Sequence, residues 1–168
     1  MAIGYFGSLK AALDNLDTKA IQRLADMARK ADTIWLCGNG GSFANAQHWS
    51  CDLQKVANKQ ALALGNNQSL FTAYANDELF AVVFQVELQQ WAKPGDLLIC
   101  LSCSGSSTNI RAALSTAHEL GLQSVLLTGT VNDRVAHADH IIRVWSQDYG
   151  VIEDCHMAIG HWLAKALQ

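Results

Sequence analysis

The sequence predicts an α/β protein: a parallel sheet covered by helices on both faces. Two observations carry this. Short, continuously apolar runs recur along the chain, as in TIWLC (Thr33–Cys37), DLLICL (Asp96–Leu101) and SVLLT (Ser124–Thr128). Runs without polar alternation mark strands buried on both faces, which belong to parallel sheets. Segments with helical spacing separate them, and that alternation is the signature of βαβ units.

Each element has its own reason. Ile21, Leu24, Ala25 and Ala28 share one face of a helix over 21–30. The strand at 33–37 runs into a glycine turn, Gly38 to Ser42, and a helix follows over 43–57. Ala61 to Leu64 is a weak strand, and GNNQS (65–69) is a turn. Residues 70–91 read as mostly helical with a break near Asn76, and Pro94-Gly95 ends them. After the strand at 96–101 comes a helix over 109–120, closed by Gly121 as a C-cap. The strand at 124–128, a short one at 141–144 and an apolar helix over 151–167 complete the chain. Without repeats, linkers or a shift in composition, residues 1–168 read as one domain.

Composition narrows the function classes. Half of the 168 residues are hydrophobic and 16% are charged, which suits a soluble globular protein. The net charge of −3 offers no basic footprint for nucleic acid. No apolar run approaches the ~20 residues of a membrane span. The start, MAIGYFGSLK, lacks the pattern of a signal peptide. Cys37, Cys51, Cys100, Cys103 and Cys155 are odd in number and form no CxxC pair, so reduced thiols in a cytoplasm are expected. Cys103 could lie exposed in its loop.

The densest chemical signal is LSCSGSSTNI (101–110). A strand enters a turn with hydroxyls at Ser102, Ser104, Ser106, Ser107 and Thr108, and a helix begins there. Backbone N–H groups at a helix N-terminus favour an anion, and clustered hydroxyls add donors around a phosphate. A serine N-cap is the plain alternative, but one cap needs one serine. Ligands of open α/β sheets bind beyond the carboxyl ends of the strands. The turns GNGGS (38–42 region) and SCSGSS therefore belong at one end of the sheet.

These two turns carry a resemblance. CGNGGSFANAQHWSCDL (37–53) and GDLLICLSCSGSSTNI (95–110) are similar to the paired signatures of sugar isomerase (SIS) domains, and within them to the phosphoheptose isomerases. AND (75–77), LLTG (126–129) and EDCHMAIGH (153–161) match in the same order. The resemblance implies a three-layer αβα sandwich with a mainly parallel sheet, flavodoxin-like, usually in a cytoplasmic homotetramer with active sites between subunits. It implies a small sugar phosphate as partner, held by Ser102, Cys103, Ser104 and Ser107. Asn39, Gly40, Gly41, Ser42, His48, Asp52, Asn76, Asp77 and Glu153 would also contact substrate.

His48 and Asp52 are four apart and share a helix face. Glu153 and His161 are eight apart, about 80° off alignment, and are expected to converge beside the last helix. Two histidines and two carboxylates suit zinc. The resemblance implies the same four, His48, Asp52, Glu153 and His161, as ligands of one zinc ion per active site. It implies Asp52 and His161 as the acid–base pair of an aldose–ketose isomerisation through an enediol, the first step of heptose synthesis for a lipopolysaccharide. Two positions depart from the family, which typically has Glu at 52 and Gln at 153. Asp places its carboxylate about 1.5 Å further back, and misplacement on that scale costs roughly 10²-fold in rate. His156 is expected to pack, and the tryptophans Trp35, Trp49, Trp91, Trp145 and Trp162 to fill core and interface. The other reading is a non-catalytic SIS module of the DnaA initiator-associating type. That module needs only the serine loop, whereas the isomerase needs the four residues as well.

Overall fold

A computed structural model describes residues 2–131 and 136–168. Its helices are α1 (Ala2–Asp14), α2 (Thr18–Lys30), α3 (Gly41–Lys55), α4 (Gln68–Asp77), α5 (Gln85–Trp91), α6 (Thr108–Glu119) and α7 (Tyr149–Ala166). Its strands are β1 (Ile34–Gly38), β2 (Ala61–Ala63), β3 (Leu97–Leu101), β4 (Gln123–Thr128) and β5 (His140–Arg143). The strands form one sheet in the order β2-β1-β3-β4-β5, and every pairing is parallel. The α/β class expected from the apolar runs is therefore observed.

Period-2 alternation divides the strand side chains between two cores. Ile34, Leu36, Leu97, Ile99, Val125 and Leu127 face α2, α3 and α7. Trp35, Cys37, Leu98, Cys100 and Leu126 face α5 and α6. Asp96 ties the amino ends of β1 and β3 together: buried, it accepts hydrogen bonds from Thr33 N (3.0 Å), Trp35 Nε1 (2.9 Å) and Lys93 N (3.0 Å). At the sheet edge, Ser50 Oγ and Gln54 Nε2 donate to the Ala61 carbonyl at 2.9 and 2.7 Å. Those bonds cover part of an otherwise open strand edge.

One element departs from the sequence reading. Helix α1 was not read from the sequence, because Gly4 and Gly7 lower its local propensity and its apolar face is not pronounced. It forms by docking on α7, where Tyr5 Oη donates to Asp154 Oδ2 at 2.7 Å and Ala12 joins a buried cluster with Val151, Ile152 and Cys155. The break expected near Asn76 is present: α4 ends at Asp77, and a single 3-10 turn at Phe80–Val82 leads to α5. Of the tryptophans expected in core and interface, Trp35 and Trp49 are in the core, and Trp91, Trp145 and Trp162 are exposed on the single chain.

Helices α3 and α7 lie side by side with their N-termini at the same end. Asn45 Nδ2 near the start of α3 donates to the Glu153 carbonyl near the start of α7 (2.8 Å). Further along, a Cβ at Gly160 would collide with the Trp49 indole. His156 packs in this region, fully buried, as expected from sequence. Neither of its ring nitrogens has a hydrogen-bond partner among the described residues, and burial pushes its pKa down from 6.5 to about 3.

Two predictions follow from this interface. Gly160→Ala should cost about 1–3 kcal/mol by overpacking, and Trp49→Phe in the same chain should return part of it, read by denaturant unfolding. Between pH 6.5 and about 3, the unfolded chain binds a proton at His156 that the folded chain does not. Stability should therefore fall with pH across that window, by about 1.4 kcal/mol per unit from this side chain. His156→Leu should flatten that slope; an unchanged acid profile would contradict the assignment.

Candidate active site

Two turns meet where the strand order reverses, between β1 and β3, the crevice that open α/β sheets use for ligands. After β1 the chain turns through Gly40, whose φ of 56° and ψ of −124° are open to glycine but strained for other residues. After β3 it turns through Gly105, with φ 62°. A reciprocal amide pair locks the turns together: Asn39 Nδ2 donates to Asn109 Oδ1 (3.0 Å) and Asn109 Nδ2 to Asn39 Oδ1 (2.8 Å). Asn109 is buried and was not singled out in the sequence. The signal available was an amide in the first turn of α6, straight after the hydroxyl run.

The serine turn encloses a cavity of about 100 Å³, lined by Asn39, Ser42, Ser102, Cys103, Ser104, Ser107, Tyr149 and Glu153. Its backbone is fixed by Ser102 N to the Leu127 carbonyl (3.0 Å) and Gly129 N to the Cys103 carbonyl (3.0 Å). Ser107 occupies the N-cap of α6, yet its hydroxyl makes no capping bond. The plain N-cap explanation of the serines therefore does not account for it. Cys103, allowed for as an exposed thiol, is buried; burial first of all pushes its pKa up to about 11. The thiol is a packing group here, and ordinary thiolate chemistry is suppressed.

A second group lies further along α3 and α7. His48 Nε2 and His161 Nε2 face each other at 3.1 Å, and Asp52 Oδ2 lies 3.4 Å from the first and 3.7 Å from the second. The α-helical spacing of four puts His48 and Asp52 on the α3 face toward α7. Tetrahedral zinc with bonds of 2.0–2.1 Å places neighbouring ligand atoms about 3.3 Å apart. The three donor atoms therefore fit a metal ion of that type, and His48, Asp52 and His161 form a group that could hold one.

Glu153 does not join this group. Eight residues of helix separate it from His161 by about 12 Å along the axis, at 1.5 Å per residue. The expectation that the two converge within one chain considered the 80° turn and left out that rise. Glu153 faces the serine turn instead, with Oε1 3.3 Å from Ser42 Oγ. Asn76 and Asp77 are exposed at the end of α4, hydrogen-bonded to each other at 2.8 Å, and do not line the serine cavity. Gly40 and Gly41 shape the first turn from outside that cavity.

The SIS domain family matches residues 5–129. The chain is 36% identical over 177 aligned positions to a phosphoheptose isomerase of Chlorobaculum parvum, covering 98% of this chain and 85% of that protein. It is 37% identical to a phosphoheptose isomerase of Mycobacterium tuberculosis, covering 87% and 78%. Among solved structures, a phosphoheptose isomerase from Francisella tularensis superposes with a TM-score of 0.91 at 27% identity, covering 99% of this chain and 95% of that one. With the parallel sheet, the crossover turns and these similarities together, the chain belongs to the SIS domain family.

Proposed function

We propose that this chain is an aldose–ketose isomerase that converts sedoheptulose 7-phosphate to D-glycero-D-manno-heptose 7-phosphate, supplying heptose for a surface lipopolysaccharide. The observation that carries the reading is the His48–Asp52–His161 group. A module that only binds a phosphosugar needs the serine cradle and has no use for two imidazoles and a carboxylate gathered from two helices. The similar proteins are isomerases acting on a phosphoheptose by name, which supports the same choice.

The reaction moves a hydrogen from C1 of the ketose to C2 of the aldose. A base removes the C1 proton, the electron pair forms the enediol, and an acid returns a proton to C2. A second proton passes between the oxygens at C1 and C2. Asp52 and His161 are the pair suited to this, because a carboxylate and an imidazole exchange protons near neutral pH. The half-exposed His161 ring is open to a substrate seated against α7. The phosphate end rests on Ser102, Cys103, Ser104 and Ser107, with Asn39, Gly40, Gly41 and Ser42 shaping the wall beside it. That anchoring holds the reacting carbons in place.

His48, Asp52 and His161 would hold zinc, which when bound supplies a Lewis acid for the sugar oxygens.

The same geometry supports an assembly. Glu153 stands about 12 Å along α7 from His161, so we read the fourth position of the set as filled by Glu153 of a second copy. The two imidazoles of the ion-holding group are about half exposed, and Trp162, which follows His161, is exposed. Trp162 also lines an apolar groove with Leu13, Leu16, Ile21 and Ile159. We read these as the faces of a homotetramer with active sites between subunits and with Asn76 and Asp77 reaching a neighbour's substrate. No helix among the described residues is long and apolar enough to cross a membrane, and we place the enzyme with its sugar phosphate in the cytoplasm.

The test is conversion of sedoheptulose 7-phosphate by the purified protein, with and without zinc. His161→Ala should lower kcat by about 10²–10⁴-fold while thermal unfolding stays unchanged. Ser104→Ala should act mainly on KM. Full activity in His161→Ala would remove it from proton transfer, and no turnover by the folded wild type would favour the binding module.

A further inference from the structure

The way round that the Asn39 side chain stands is set from the other turn. Asn109 Oδ1 accepts from the backbone N–H of Ile110 at 3.0 Å and from Asn39 Nδ2 at 3.0 Å. Asn109 Nδ2 donates to Asn39 Oδ1 at 2.8 Å. A carboxamide can face either way, and the bonds around it decide which. Turned over, Asn109 would set its NH2 group against the Ile110 N–H, donor against donor. The backbone of α6 therefore orients Asn109, and Asn109 orients Asn39. Asn109 is 1% exposed and does not line the serine cavity; Asn39 is half-buried and does.

A carboxamide has two N–H donors, and Asn39 gives one to Asn109. The other has no acceptor among the described residues. Ile110 N and Asn39 Nδ2 converge on one oxygen, so the donor edge of Asn39 stands beside the first turn of α6, where backbone N–H groups favour an anion. We propose that Asn109 is a positioning residue for the phosphosugar: it holds the Asn39 carboxamide so that the remaining N–H, rather than the carbonyl, is offered to the phosphate. Asn109 touches no ligand and acts only through Asn39. Without it, the Asn39 side chain is released to turn its carbonyl toward the anion, which that oxygen repels. This role rests on the serine turn being the phosphate cradle, as read above.

The experiment is a double-mutant cycle in the full-length protein, read by calorimetric titration with inorganic phosphate and by KM for sedoheptulose 7-phosphate. Asn39→Ala removes the donor, and Asn109→Ala removes what holds it. Each single variant should bind phosphate about tenfold more weakly than wild type, as loss of one hydrogen bond to a charged group implies. The double variant should bind no more weakly than either single one, because the holder then has nothing to hold. KM should rise in parallel. Asn109→Ser offers one oxygen and cannot pair with both ends of the Asn39 amide; it should behave as Asn109→Ala does, and it serves where alanine prevents folding. Wild-type phosphate affinity in folded Asn109→Ala or Asn109→Ser would overturn the proposal and leave the cradle standing. Losses that multiply in the double variant would overturn it too, since Asn109 would then act independently of Asn39. No phosphate binding by the wild type would overturn it together with the cradle.

Discussion

The contact between Gly160 and Trp49 governs the rest of the site. It lets α3 and α7 lie close and run in the same direction, so residues at matching depths on the two helices meet. Near the N-termini this brings Ser42 and Asn45 to Glu153. Further along it brings His48 and Asp52 to His161. A wider separation would leave the anion cradle nearly intact and open the second group, because imidazole and carboxylate side chains have little reach. The interface thus decides whether the imidazoles and the carboxylate meet at all. Buried His156 in the same region makes that interface sensitive to acid, since protonating it favours the unfolded chain.

Much of the fold was legible because the strands are short apolar runs with turn residues at their ends. Helix α6 and its Gly121 cap, α2 and the strand order of events along the chain need only local pattern. Helix α1 was not legible: two glycines and a weakly amphipathic face say little, and its stability comes from Tyr5 meeting Asp154 across the fold. The pairing of Asn39 with Asn109 is likewise tertiary, across a separation of 70 positions. For the site, the spacing of His48 and Asp52 was sufficient to put them on one face. The spacing of Glu153 and His161 was misleading, because an angle around a helix does not bring residues together that are separated along it.

The serine turn gathers hydroxyls and backbone N–H groups that suit an anion, and among the described residues no lysine or arginine lines the cavity beside it. Glu153 lies at its edge, 3.3 Å from Ser42 Oγ. Asp52 is shorter than the residue typical of related isomerases, yet lies 3.4 and 3.7 Å from two imidazole nitrogens. The shorter carboxylate therefore still reaches both imidazoles.

The central claim is that Asp52 and His161 move protons through an enediol at this site. The most direct measurement is turnover of sedoheptulose 7-phosphate in deuterated water, with the aldose phosphate analysed by NMR. The account predicts solvent deuterium at C2 of the product, because the acid that returns the proton exchanges with water, and predicts its loss together with turnover in Asp52→Asn. Turnover at the normal rate in Asp52→Asn, with deuterium still entering at C2, would contradict it.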